Sequence, residues 1–315
     1  PYDGIGGARR ALEILDITPG LFVSIERDED CRRVVKEAWP EVVSIRDVDD
    51  ATVERFEKLF ARKPKLNRGL IVGGPPCQGL SGLNRGHKGV DDPRSQEIHR
   101  FIDIVARLKE HFSHIEWKAL MENVSTMDEA DRQEITKMLA MAGLATTPYM
   151  FNANQLGPIS RPRIHWSEWL VQRAGFTHVE KEDYVKITNP SQQRVPEKLF
   201  LNCGVDKVGK EPFPTSVQWL PQSRRPRAPA GIDDCDEETL QKWEASRWAM
   251  SPYQFKRALG VTEKDESGKE RDRPLNADEK ERMHGFRRGH TKGFDEPVSY
   301  THLRAHETRE DLVCR

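Results

Sequence analysis

The sequence lacks any paired-cysteine pattern: its five cysteines, Cys31, Cys77, Cys203, Cys235 and Cys314, are odd in number, widely spread and never spaced C-x-x-C. That excludes a disulfide framework and a zinc knuckle, and in a reducing compartment it leaves each thiol free for individual chemistry. Also missing is any stretch near the roughly 20 apolar residues that a bilayer-spanning helix needs, and no signal-peptide pattern opens the chain. A soluble, non-secreted protein with no membrane partner is expected. Net charge is nearly absent, since 50 Lys and Arg against 51 Asp and Glu leave −1, which removes a whole-protein basic surface as an argument for a polyanionic partner. Internal repeats and low-complexity tracts are absent as well. His302 and His306, four apart, read as a chance pair, and no metal is expected.

What is present is length enough for one large domain or two modest ones, 315 residues, and apolar runs such as LFVSIE and GLIVGG that read as buried strands. In the first half strands alternate with helices. Leu21 to Glu26 reads as a strand, Asp28 to Trp39 as a helix stopped by Pro40, and Val42 to Ile45 as a second strand. Asp50 is expected to cap a helix carrying Val53, Phe56, Leu59 and Phe60 on one face. Leu70 to Gly73 then forms a third strand, and an amphipathic helix from Ile98 to Phe112 leads to a strand at Ala119 to Glu122. A helix around Ile135 and strands near Tyr149 to Asn152 and Arg163 to Trp166 follow. Strands separated by crossover helices predict an α/β fold with a doubly wound, mostly parallel sheet. After Trp166 the texture becomes irregular, with scattered aromatics, frequent prolines and the basic run Ser223 to Arg227.

Three segments carry chemistry. Tyr2-Asp3-Gly4-Ile5-Gly6-Gly7 is a glycine-rich turn entering a helix, and Glu26, closing the next strand, offers a carboxylate to the ribose hydroxyls of a nucleoside cofactor. A tight turn with a chance acid explains these residues as well; among ligands, a dinucleotide competes with S-adenosylmethionine. Gly73-Gly74-Pro75-Pro76-Cys77-Gln78 ends the third strand, so a free thiol stands at the carboxyl edge of a parallel sheet, presented by two prolines. Glu122-Asn123-Val124 follows 45 residues after Cys77 at the end of another strand. If the two strands are neighbours, Glu122 and Cys77 share a rim. A carboxyl group beside a nucleophilic thiol suits attack on an electron-poor heterocycle.

Together with Arg161-Pro162-Arg163 and the later Arg273-Pro274-Leu275, Glu279, Arg282 and Gly285-Phe286, these segments resemble, in order and spacing, the motif series of the cytosine-5 DNA methyltransferases, most closely the eukaryotic de novo branch. The resemblance covers roughly residues 1 to 293. It implies a Rossmann-like S-adenosylmethionine-dependent catalytic domain at 1–166, an irregular target-recognition region and linker at 167–272, a return segment at 273–293 and a tail at 294–315 that does not belong to the family pattern. It further implies Cys77 as nucleophile on carbon-6 of a flipped cytosine, Glu122 as its acid partner, and Arg163 with Arg161 holding the base and the Cys77 loop. Tyr2, Gly4, Gly6, Gly7, Glu26, Asp47, Pro75 and Arg94 would bind S-adenosyl-L-methionine, Tyr2 stacking on adenine and Asp47 accepting from its amine. Implied partners are double-stranded DNA and other methyltransferase subunits, or a second copy, in a nuclear location.

The chain departs from the family pattern at Arg100 and Asp103, an apparent exchange of acid and base that would preserve a pair, at Ser160 and at Asn276. Residues 154–230 carry a net +5 while both flanks are acidic, which suits a DNA-facing segment, although a solvated linker explains Arg224 to Arg227 equally well. Rival readings are a tRNA cytosine methyltransferase, disfavoured by the absence of a Cys-Phe-Thr segment, and a catalytically silent regulatory paralogue. A nicotinamide dehydrogenase explains the glycine turn but neither Pro-Pro-Cys nor Glu-Asn-Val.

Overall fold

A computed structural model describes residues 1–76, 95–144, 147–169, 176–189, 191, 194–209, 212–214, 237, 240–241, 244, 260–264, 267–273 and 275–294. The described helices are α1 (Gly7–Ile14), α2 (Glu29–Ala38), α3 (Val53–Ala61), α4 (Gln96–His111), α5 (Glu129–Met141) and α6 (Ala277–Met283). The strands are β1 (Val23–Ile25), β2 (Val43–Ile45), β3 (Arg68–Gly73), β4 (Glu116–Val124), β5 (Thr147–Asn152), β6 (Ile159–Ser160) and β7 (Pro162–Ser167). They continue with β8 (Thr177–Glu180), β9 (Val185–Thr188), β10 (Val205–Lys207), β11 (Phe213–Pro214), β12 (Val261–Lys264) and β13 (Glu270–Arg273). None of the described helices is long and apolar enough to cross a membrane.

The chain divides into two compact units, the first taking Pro1–Phe151 and Pro162–Ser191, the second Asn152–Arg161 and Gln192–Arg304. The first unit therefore does not stop at residue 166. Strands β8 and β9 continue its six-stranded sheet, whose order is β3-β4-β7-β5-β9-β8, and Val185 and Ile187 of β9 bury their side chains. Residues 273–293, read from the sequence as a return segment, fall within the second unit.

The α/β expectation holds, and the six-stranded sheet is mixed. β3 and β4 are parallel, as are β5 and β9, whereas β7 runs antiparallel to β4 and β8 antiparallel to β9. β1 and β2 form a separate parallel pair. One apolar core joins them to the helices: Ile25, Ile45, Ile71 and Met121 from strands meet Phe56 of α3, Phe101, Val105 and Leu108 of α4, and Ile135 and Leu139 of α5. The spacing of those residues on α4 and α5 follows the helical repeat, which is why they were legible from sequence.

Two glycines mark close approaches. A Cβ at Gly73 would overlap the Phe101 ring, so the end of β3 lies directly on α4. Gly6 has φ of +88°, and a Cβ there would overlap the Trp39 ring. A side chain at Gly6 is thus barred both by backbone conformation and by the aromatic wall beside it. Helix starts follow capping chemistry. Asp28 accepts from the N–H groups of Asp30 and Cys31 at 2.9 and 3.1 Å. Thr52, not Asp50, caps α3, because Asp50 ends a short 3-10 turn begun at Val48.

In the second unit, β10, β12 and β13 make an antiparallel sheet, and Ile159, Leu201, Val205, Phe213, Val261, Leu275 and Met283 form its core. Asn276 caps α6 in a reciprocal box: its Oδ1 accepts from the Glu279 N–H at 2.8 Å, and Glu279 Oε2 accepts from the Asn276 N–H at 3.0 Å. Glu279 is fully buried, and Arg273 grips it with two bonds of 2.7 and 2.9 Å. Burial alone would raise the Glu279 carboxyl, but Arg273 and the N–H groups of Asn276 and Asn202 together hold it below its ordinary value. A folded-state depression contributes stability above the unfolded-state value and loses it as pH falls through that value and below. Thermal unfolding monitored between pH 7 and 3 is therefore expected to show an acid-labile second unit, and Arg273→Ala is expected to cost about 3–5 kcal/mol at neutral pH by stranding a buried carboxylate. A melting profile that is flat across that range, or an Arg273→Ala chain of wild-type stability, contradicts this.

Candidate active site

The carboxyl ends of β3 and β4 lie side by side. Their parallel register runs from Arg68 opposite Glu116 to Gly73 opposite Met121, so Glu122 stands one step past the last paired residue of β3. The chain leaving β3 is tied there. Asn123, 1% exposed, donates from Nδ2 to the Pro75 carbonyl at 3.1 Å and accepts on Oδ1 from the Val124 N–H at 2.9 Å. The side chain between two strand ends is thus an internal brace for the Gly74-Pro75-Pro76 segment. Sequence reasoning quoted Asn123 within a motif but gave it no role. The available signal was an amide in step with Ala119 and Met121, the buried alternate positions of the same strand.

Glu122 points to the other face of β4. Antiparallel pairing sets it opposite His165 and sets Val124 opposite Arg163, so Arg163 is its diagonal neighbour on that face. Arg163 Nε lies 2.7 Å from Glu122 Oε1, with the two side chains only 7% and 12% exposed. Arg163 also donates to the Pro162 carbonyl at 2.8 Å. The His165 ring stacks on Tyr149, with centroids 5.2 Å apart. This unit therefore holds a carboxyl group and a guanidinium, both nearly dry, at the rim toward which β3 leads. Arg161 groups with the second unit, where its N–H donates to Asn152 Oδ1 at 2.7 Å. Cys77 and Arg94 lie outside the described residues.

The glycine turn adopts the conformation that only glycine tolerates well, with Gly4 at φ +56° and Gly6 at +88°. Glu26 closes it: Oε2 accepts from the Gly4 N–H and Oε1 from the Asp28 N–H, each at 2.9 Å. Each oxygen keeps a second lone pair for a hydroxyl donor. A Cβ at Gly7 would meet nothing within 4 Å, so the turn is open on that side. Asp47 accepts from the Asp49 N–H at 3.1 Å and pairs with Arg27 Nε at 2.8 Å; the Arg27 hydrogen bond holds its carboxyl below the ordinary range. The Tyr2 hydroxyl lies 2.8 Å from Glu97 Oε2, and burial together with that carboxylate pushes the phenol up. Two carboxylate acceptors and an aromatic ring around an open glycine turn suit a nucleoside with hydroxyl and amine donors.

The expected Arg100–Asp103 pair is not formed. Arg100 turns to Glu97 and Asp49 at 3.2 and 3.3 Å, while Asp103 pairs with Arg107 one turn on. Of the other thiols, Cys31 is buried, which pushes it up, and Cys203 is exposed. No group of three or more metal-ligating side chains occurs among the described residues.

Comparison with known proteins gives these residues a context. A family model for C-5 cytosine-specific DNA methylase matches residues 2–304, beyond the 293 expected from motifs. The chain is 32% identical over 120 residues to the rice (Oryza sativa subsp. japonica) DNA (cytosine-5)-methyltransferase DRM2, covering 36% of this chain and 20% of that protein. It is 38% identical over 104 residues to the Arabidopsis thaliana DNA (cytosine-5)-methyltransferase CMT2, covering 31% of this chain and 8% of that one. The chain thus spans about a fifth or less of these two relatives. Among solved structures, S. pombe Dnmt2 methyltransferase superposes with a TM-score of 0.53 at 15% identity, covering 99% of this chain and 94% of that one. Entamoeba histolytica methyltransferase EhMeth gives 0.56 at 18%, covering 99% and 93%. At such identities the likeness is one of fold.

Proposed function

Because the chain belongs to the C-5 cytosine-specific DNA methylase family, we propose that it transfers a methyl group to carbon-5 of cytosine in double-stranded DNA. The observation that carries the proposal is the shared rim: Asn123 braces Pro75, two residues before Cys77, while Glu122 and Arg163 pair on the adjoining strands.

In this reading the Cys77 thiolate adds to carbon-6 of the target ring, and Glu122 hydrogen-bonds N3 and the exocyclic amine, so that the electron density gained by the ring accumulates at carbon-5. Arg163 orients Glu122 and holds the base oxygen. Bound S-adenosyl-L-methionine supplies an electrophilic methyl group. Carbon-5 takes that methyl group, and loss of the carbon-5 proton to water then restores the ring and expels the Cys77 thiolate. Tyr2, Glu26 and Asp47 would hold the adenosine, Gly4, Gly6 and Gly7 would admit it close to backbone, and Pro75 and Arg94 would bind the rest of it. Since a stacked base hides carbon-6, the cytosine must leave the duplex, at a cost of a few kcal/mol. The +5 segment at 154–230 then supplies phosphate contacts, and the protein works in the nucleus, alone or beside other methyltransferase subunits.

The test is transfer of labelled methyl from S-adenosyl-L-methionine to duplex DNA and, in parallel, to tRNA. Label in DNA with none in tRNA is expected. Label in tRNA alone replaces the substrate, and label in neither, with no covalent capture on 5-fluorocytosine DNA, removes the enzyme reading.

A further inference from the structure

Side chains from two other segments of the first unit, Tyr2 and Arg27, and Arg100 of the same helix converge on one side chain. Glu97, in the first turn of α4 and 17% exposed at its side chain, takes the Tyr2 hydroxyl on Oε2 at 2.8 Å. On Oε1 it takes Arg100 at 3.2 Å and Arg27 at 3.4 Å. Arg27, from the turn after β1, passes the contact on to Asp47 at 2.8 Å, and Arg100 reaches Asp49 at 3.3 Å, both acids standing after β2. Exposed ion pairs taken singly contribute little. Here one sheltered carboxylate links the glycine turn, both strand ends and α4, and the Tyr2 hydroxyl also lies 2.8 Å from the Glu97 carbonyl. The position of the Tyr2 ring is therefore set through its hydroxyl and not by packing alone.

We propose that Glu97 is a positioning residue for the cofactor, holding the Tyr2 ring and, through Arg27, the Asp47 carboxylate at the separation that an adenine requires. The proposal rests on the S-adenosyl-L-methionine reading of this site. Glu97 touches no reacting atom; its effect passes through the residues that do the binding.

The experiment measures S-adenosyl-L-homocysteine binding by calorimetry, with KM and kcat for methyl transfer, on the full chain and on Glu97→Ala, Glu97→Gln, Tyr2→Phe and the double variant Tyr2→Phe/Glu97→Ala. Glu97→Ala is expected to weaken binding about 10-fold and Tyr2→Phe about 3-fold, as for loss of a hydrogen bond to a charged group. The double variant is expected to lose less than the product of the two single losses, because the bond between the Tyr2 hydroxyl and the Glu97 carboxylate is common to both changes, while the hydroxyl's contact with the Glu97 carbonyl and the Arg27 contact are each removed by only one of them. Glu97→Gln, which keeps an acceptor for the hydroxyl, recovers part of the loss. KM for the cofactor follows these changes while kcat falls by a smaller factor. Wild-type affinity in Glu97→Ala, or losses that multiply in the double variant, overturns the proposal; if Glu97→Ala does not fold, wild-type affinity in both Tyr2→Phe and Glu97→Gln does so. A wild-type chain that binds no S-adenosyl-L-homocysteine overturns the cofactor reading itself.

Discussion

Cys77→Ala is expected to abolish covalent capture on 5-fluorocytosine DNA and to lower methyl transfer by at least about 10⁴-fold, while S-adenosyl-L-homocysteine binding stays within about 2-fold of wild type. Without the sulfur no bond forms at carbon-6, and the ring never gains the electron density that carbon-5 needs; preorganised polar groups alone leave only a small residual rate. The glycine turn and its carboxylates Glu26 and Asp47 belong to β1, β2 and their flanking turns, so cofactor affinity has no reason to follow the thiol. Gel-shift of the adduct under denaturing conditions reads the first quantity and calorimetry the second. An adduct that survives in Cys77→Ala assigns the nucleophile elsewhere, and of the described thiols Cys31 is buried and Cys203 exposed in the second unit.

Breaking the Glu122–Arg163 pair is expected to have the next largest effect. Glu122→Gln should lower kcat by about 10²- to 10³-fold, the usual cost of losing one group aimed at developing charge, and slow adduct formation with it. Arg163→Ala should fall in the same range for a different reason. Glu122 and Arg163 are 12% and 7% exposed at their side chains and 2.7 Å apart, so deleting the guanidinium leaves a buried carboxylate free to turn away from the base. Arg163→Lys should restore little, because Nε of a planar fork makes the contact and an ammonium cannot reproduce that geometry. Single-turnover methyl transfer with DNA and cofactor both saturating separates these effects from binding. A rate within 10-fold of wild type in Glu122→Gln removes it from the chemistry.

Elements with strong periodicity were legible in the sequence. The buried residues of α4, from Ile98 to Leu108, repeat with the helix, and the end of β3 at Gly73 was visible as an apolar run stopped by Gly-Pro-Pro, whereas β4 runs on through Glu122 to Val124, past the expected strand end. Placing both ends on one rim required only that β3 and β4 be neighbours, and they are. Less legible was the start of α3, where Asp50 and Thr52 are both good caps and local chemistry could not choose between them. The reach of the first unit past residue 166 was hidden for another reason: β8 is exposed along its whole length and β9 buries only alternate residues, so neither makes the continuous apolar run that betrays a central strand.

From composition and order alone came the family resemblance, the α/β class, the thiol, the carboxyl group and the glycine turn, since each depends on residue types at short spacings. The brace of Asn123 on Pro75, the diagonal of Arg163 on Glu122, the turn of Arg100 away from Asp103 and the convergence of Tyr2, Arg27 and Arg100 on Glu97 came only with the packed chain. Those contacts join residues 41 to 95 positions apart, apart from the i, i+3 pair of Arg100 with Glu97. Strand register and helix docking select their partners, and no local pattern encodes which of several arginines a given carboxylate will meet.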